Sequence, residues 1–186
     1  MGRFVSRAGE KLDHALTTFE VDVKGWVCAD FGANAGGFTD SLLSRGAAKV
    51  YAIDTGYGAL EWKLRTDPRV VVMERTNAMH VELPEKVDLV TIDVAWTKQR
   101  LILPSAQRVL KPTGQIITLI KPHYESPPTH LKSGVLPEPE VDAVVTRVLT
   151  EIKSTALEVL STTRSPLLGT KGNIEVLALL KASNDQ

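Results

Sequence analysis

Apolar runs of strand length recur along this chain, and between them the apolar residues switch to helical spacing. Trp26 to Ala29, Val50 to Ile53, Val70 to Met73, Leu89 to Ile92 and Ile116 to Ile120 read as strands. The stretches between hold a helix with Phe38, Leu42 and Leu43 that ends near Gly46, then Ala59 to Arg65, then about Gln99 to Leu110, closed by Pro112. Such alternation predicts parallel strands joined by helical crossovers, with helices on both faces of the sheet. Ahead of it, Ser6 is placed to cap a helix in which Leu12, Ala15, Leu16 and Phe19 recur at helical spacing, while Arg7, Lys11 and His14 form a basic stripe.

The pattern then changes. Pro122, Pro127, Pro128, Pro137 and Pro139 crowd one segment with Gly134, too polar and broken for an element and long enough to predict a lid loop over residues 122 to 139. A helix from about Pro139 to Lys153 precedes two last strands, Leu157 to Ser161 and Ile174 to Leu180. Pro166, Gly169 and Gly172 between them leave no room for a crossover helix, so these two are expected to be antiparallel. The expectation is one α/β domain over residues 1 to 186, with a seven-stranded, mostly parallel sheet and one reversed strand. A length of 186 residues fits one domain, and 43% hydrophobic residues supply its core.

In an open α/β sheet, ligands bind beyond the carboxyl ends of the strands. Asp30, Asp54, Asp93 and Lys121 each follow an apolar run, so four charged residues are expected along one edge. The first turn reads Asp30-Phe31-Gly32-Ala33-Asn34-Ala35-Gly36-Gly37-Phe38. Asn34 stands where a dinucleotide fingerprint needs the glycine that admits a pyrophosphate. The turn instead suits a nucleoside without phosphate, such as S-adenosylmethionine, and Asp54, 24 residues after Asp30, is placed for a ribose diol.

Two further charges stand out. Lys121 directly follows an apolar strand, as a snorkelling lysine also would. Glu175 lies on the same strand face as Leu177 and Leu179, where an unpaired carboxylate would cost several kcal/mol. Its partner is expected to be Lys11 or Lys121, and a structural ion network would account for the same residues.

The segments SRAGEKL from Ser6, DFGANAGGFTD from Asp30, AIDTGYGALEWKLRTDPRVVVMERTN from Ala52, TIDV from Thr91, LIKP from Leu119 and GTKGNIEVL from Gly169 occur in an order that resembles the FtsJ-like methyltransferase domain. Within that family the chain is similar to the TlyA, or hemolysin-A, type of ribosomal RNA 2'-O-methyltransferase. The resemblance implies the class I methyltransferase sandwich and S-adenosylmethionine as methyl donor. It implies a catalytic tetrad of Lys11, Asp93, Lys121 and Glu175, with Lys121 taking the proton from a ribose hydroxyl. Cofactor contacts are implied at Asp30, Gly32, Asn34, Ala35, Gly36, Gly37, Phe38, Asp54, Thr76, Asn77 and Asp93.

An RNA partner, ribosomal RNA or a ribosomal subunit, is implied as well. Arg3, Arg7, Lys98, Arg100, Lys132, Arg164 and Lys171 are the expected phosphate contacts, and Trp96 a surface for a base. Relatives of this type usually carry an N-terminal S4 RNA-binding domain, whereas here the chain begins a few residues before the first helix. Asn34-Ala35 and Ala95-Trp96 stand where Ser-Thr and Ser-Phe are common.

Other properties narrow the classes. Twenty-two Lys and Arg balance 22 Asp and Glu, so a nucleic-acid surface must be local. Stretches without a charged residue reach nine residues, short of the roughly 18 to 20 that span a bilayer, and no membrane partner is expected. The start lacks a signal-peptide pattern and Cys28 has no partner for an internal disulfide, which points to the cytoplasm. The histidines His14, His80, His123 and His130 lack metal-ligand spacing, and no metal is expected. A nicotinamide oxidoreductase, a membrane-lytic protein and a non-catalytic RNA-binding factor are the competing classes.

Overall fold

The computed structural model describes residues 2 to 183. Seven strands form one sheet: β1 (Val27–Phe31), β2 (Lys49–Ile53), β3 (Val70–Met73), β4 (Val87–Ile92), β5 (Leu110–Ile120), β6 (Leu157–Arg164) and β7 (Val176–Ala182). Their spatial order is β3-β2-β1-β4-β5-β7-β6. All neighbours run parallel except β7, which is antiparallel to both β5 and β6. The expected single reversed strand is therefore present, seated inside the sheet rather than at its edge.

Helices cover both faces because strand residues alternate between two apolar clusters. On one face Ala29, Phe31, Val90, Ile92, Ile116 and Ile120 pack against α4 (Gln99–Val109) and α6 (Glu138–Lys153). On the other, Cys28, Leu89, Ile117, Leu119, Leu177 and Leu179 pack against α1 (Ala8–Thr18), α2 (Gly37–Ser44) and the single turn α3 (Trp62–Arg65).

Several expectations need correction. Asp30 does not end its strand: β1 runs on to Phe31, and Asp30 points with Cys28 toward the α2 face, fully buried. β5 starts at Leu110, directly after α4, and carries Pro112 within it. Glu175 immediately precedes β7 instead of lying inside it. Ser6 caps nothing with its side chain; its carbonyl accepts from Gly9 N–H at 3.1 Å, and the cap position is Arg7.

The segment read as too broken for an element contains a one-turn helix, α5 (Pro122–Glu125), and a 3-10 turn (Pro128–His130). It is also tied down. The buried Asn173 side chain accepts from Leu136 N–H at 3.0 Å and donates to the carbonyls of Gly134 and Thr170 at 3.0 and 2.9 Å, and Leu136 enters the core.

Candidate active site

The carboxyl ends of β1, β2 and β4 open onto a cavity of about 610 Å³, within the ordinary range of small-molecule sites. Its wall includes Gly32 to Ala35, Phe38, Asp54, Thr76, Asn77, Asp93, Trp96 and Lys121. Gly32 is required there. Its φ is +87°, and a β-carbon would come 2.6 Å from the Asp93 carbonyl oxygen, so the turn can lie against β4 only without a side chain. Asn34 follows with φ +48°, in the left-handed region that asparagine tolerates. Its backbone N–H donates to Asp54 Oδ2 at 2.9 Å, while the other Asp54 oxygen accepts from Gly56 N–H at 2.7 Å. The carboxylate that follows β2 thus fastens the two loops that form one side of the cavity.

Alternation along the strands brings the chemistry to one sheet face. Asp93 continues the series Leu89 and Thr91, Lys121 the series Ile117 and Leu119, and Glu175 the series Leu177 and Leu179, so all three fall toward α1. There they form two ion pairs. Lys121 Nζ lies 2.7 Å from Asp93 Oδ1, with side chains 16% and 18% exposed. Lys11 Nζ lies 2.5 Å from Glu175 Oε2, with side chains 9% and 3% exposed. The buried glutamate pairs with Lys11, which settles the choice between the two lysines. A β-carbon on Gly169 would lie 2.1 Å from Glu175 Oε1, so the loop before β7 leaves that carboxylate its space.

The whole basic stripe of α1 docks on the last two strands and their connection. Arg7 Nη2 donates to the Leu168 carbonyl at 2.6 Å, Lys11 meets Glu175, and His14 Nε2 lies 3.3 Å from Thr163 Oγ1. At the amino end of α1, Gly9 and Ser6 press against Gly37, where a side chain would collide with the Ser6 hydroxyl and the Gly9 nitrogen.

Asp30 does not line the cavity. Its carboxylate accepts from Thr39 Oγ1 at 2.7 Å and Thr91 Oγ1 at 3.2 Å, and burial, offset in part by the Thr39 bond, pushes its pKa up to about 7. Gly36 and Gly37 are not among the residues that line the cavity. His123, two residues after Lys121, is buried, and its Nδ1 has no hydrogen-bond partner among the described residues. Burial, and then the charges of Lys121 and Lys11, lower its pKa to about 4, so the ring is neutral. It stacks obliquely on Tyr124 at 4.1 Å, and Tyr124 meets the exposed Trp96 edge-on at 6.0 Å.

The expected phosphate contacts divide. Arg3 is bound to Asp13, and Arg164 to Glu138 and Asp142, which leaves their charge largely compensated. Lys171, with φ +58°, reaches the Ser133 carbonyl at 3.5 Å. Arg100 and Lys132 are exposed, and Lys98 is half-buried at the start of α4.

With this geometry in place, comparison with known proteins decides the family. A profile of the FtsJ-like methyltransferases matches residues 4–182. The chain belongs to the FtsJ-like methyltransferase family. The candidate rRNA methyltransferase YqxC of Bacillus subtilis is 41% identical over 94% of the chain, and the 16S/23S rRNA (cytidine-2'-O)-methyltransferase TlyA of Mycobacterium tuberculosis is 39% identical over 98%. The chain spans 64% and 70% of the length of these two relatives. A solved structure described as a candidate hemolysin, from Streptococcus thermophilus, superposes with a TM-score of 0.95 at 36% identity, covering all of this chain and 69% of that one.

The fold is the class I methyltransferase sandwich, shared with methyltransferase structures at 17% identity. FtsJ-like methyltransferases use S-adenosylmethionine. The cavity of this FtsJ-like chain fits that molecule. The bare Gly32 backbone permits close approach, the Asp54 carboxylate lies on the wall, and Ala78, Met79 and Ile102 give an apolar side. No described helix is long and apolar enough to cross a membrane.

Proposed function

We propose that the chain transfers a methyl group from S-adenosylmethionine to a ribose 2'-hydroxyl of ribosomal RNA. The observation that carries this reading is the Lys121–Asp93 pair. Both residues line the cofactor-sized cavity, and a second lysine–carboxylate pair lies on the same sheet face. S-adenosylmethionine supplies an electrophilic methyl group on a cationic sulfur.

The chain's residues prepare the nucleophile. The Lys121 amine, once its own proton has passed to solvent, accepts the hydroxyl proton as the oxygen attacks, and Asp93 Oδ1 fixes the direction of that nitrogen. Lys11 and Glu175, joined and buried beside the strand ends, hold α1 in place and set the local field. Asp54 fastens Asn34 and Gly56 and so shapes the cofactor side; Asp30 supports the turn from behind through Thr39 and Thr91. Positioning supplies a large part of the rate, since the methyl group arrives already activated.

Ribosomal RNA is favoured as acceptor because the similar TlyA protein is named for that substrate and shares 39% identity over 98% of this chain. In this reading Lys98, Arg100 and Lys132 contact phosphates and Trp96 faces a base. The substrate is a ribosomal subunit or its RNA in the cytoplasm.

Transfer of labelled methyl groups to purified ribosomal subunits and to bare rRNA, followed by mapping of the labelled nucleotide, tests the proposal. Label on a ribose 2'-oxygen is the expected result. Label on a base, on protein or nowhere would overturn it.

A further inference from the structure

Gln99 opens α4 six residues after Asp93, and it is 4% exposed. Its side-chain Oε1 accepts from Thr118 Oγ1 at 2.7 Å, and its Nε2 donates to the Leu119 carbonyl at 3.4 Å. Its backbone N–H donates to Glu125 Oε1 at 2.8 Å. Thr118 and Leu119 precede Lys121 by three and two residues, and Glu125 follows it by four. One residue therefore grips the chain on both sides of Lys121. Thr118 is also the register partner of Ile92, the residue before Asp93. The far end is anchored too, because Arg147 Nη2 on α6 donates to the Glu125 carbonyl at 2.9 Å.

Glu125 is 4% exposed, and its carboxylate forms no salt bridge among the described residues. Apolar residues would fill the same space without the cost of burying polar groups. What the polar set adds is a fixed relation between the ends of β4 and β5, since hydrogen bonds specify direction where apolar contact does not.

We infer that Gln99 and Glu125 are positioning residues that hold Lys121 opposite Asp93. Among the described residues neither hydrogen-bonds to that pair; both act through the backbone on either side of Lys121. This rests on the reading of Lys121 as the proton acceptor, and the test separates the two.

In Gln99→Leu, turnover should fall at least about tenfold, with acceptor KM and S-adenosylmethionine affinity within about twofold of the parent. The crystal structure of that variant should show Lys121 Nζ moved out of contact with Asp93. Glu125→Leu should behave alike, whereas Glu125→Gln, which keeps a carbonyl acceptor for Gln99 N–H, should restore turnover. If Gln99→Leu does not fold, Thr118→Val removes the hydroxyl partner of Gln99 at nearly constant volume, and the same two readouts apply.

An Lys121–Asp93 contact unchanged in the variant crystal overturns the inference whatever the activity. So does parent turnover in folded Gln99→Leu. A parent protein that methylates no RNA, whose Gln99→Leu crystals nonetheless show the pair parted, overturns the functional reading and leaves the clamp standing.

Discussion

The Asp93 carbonyl oxygen occupies the space that a side chain on Gly32 would need: a β-carbon there would lie 2.6 Å away. The turn after β1 and the residue that follows β4 are thus fitted to each other backbone against backbone. Asp93 N–H also donates to the Phe31 carbonyl at 2.9 Å, immediately beside the same glycine.

Gly32→Ala should therefore damage both halves of the site. The residue must keep φ near +87° or push β4 away, at about 1 to 3 kcal/mol for the backbone strain alone. A melting temperature lower by several degrees, together with weaker S-adenosylmethionine binding by calorimetry, is the expected outcome. Parent-like values for both would show that the loop yields freely.

Asp54 joins two backbone N–H groups across the cavity wall. In Asp54→Ala both lose their acceptor, each lost charge-assisted bond costing roughly 1.5 to 3 kcal/mol of stability, and cofactor affinity should fall by about tenfold or more as the cavity wall loosens. Isothermal titration with S-adenosylmethionine checks this, and unchanged affinity would remove Asp54 from the site.

The two ion pairs should respond differently to substitution. Lys121→Ala, at a pair still reached by solvent, should lower methyl transfer by about 10²-fold or more with little change in melting temperature or cofactor affinity. Lys11→Ala strands a buried carboxylate and should cost about 3 to 5 kcal/mol of stability. The double change Lys11→Met with Glu175→Leu should recover most of that stability without recovering activity. Recovery of both would make the inner pair purely structural.

Acid response separates Asp30 from His123. The Asp30 pKa is raised from 3.8 to about 7, so the folded state holds this proton more tightly than the unfolded chain, and its contribution to stability grows as pH falls from about 7 toward 4. The His123 pKa is lowered from 6.5 to about 4; the unfolded chain takes that proton first, and stability is lost as pH falls through the same window. The two slopes oppose each other in the parent. Asp30→Asn should leave a protein that weakens steadily from pH 6.5 to 4, and His123→Asn one that strengthens over that range, as read from urea midpoints. Superimposable profiles for parent and both variants would refute the opposed slopes.

Much of this arrangement is visible in the residues themselves. A charge that directly follows an apolar run marks the exit of a strand, which is how Asp54, Asp93 and Lys121 announce their shared edge. Asp30 misleads by the same signal, because Phe31 extends β1 by one more pairing with Ile53 and Ile92 and leaves the aspartate inside. The partner of Glu175 depends on where α1 docks, and that is decided by the contact of Gly9 and Ser6 with Gly37, a tertiary fit that periodicity does not encode. Gln99 and Glu125 gave no motif. The one available hint was Thr118, a polar residue within the apolar run Ile116 to Ile120, which had to find a partner once buried.

Lys11 and Glu175 are 164 residues apart in sequence. At a synthesis rate of roughly 5 to 20 residues per second, the glutamate is added on the order of ten to thirty seconds after the lysine. All strands of the cofactor cavity have been made by then, since β1 to β5 end at Ile120. The last partner of the inner ion pair is thus supplied by the loop that leads into the reversed strand β7, so the pair can form only after every strand of the cavity has been made. A growing or prematurely ended chain that holds every residue lining the cavity would still lack the group that neutralises Lys11.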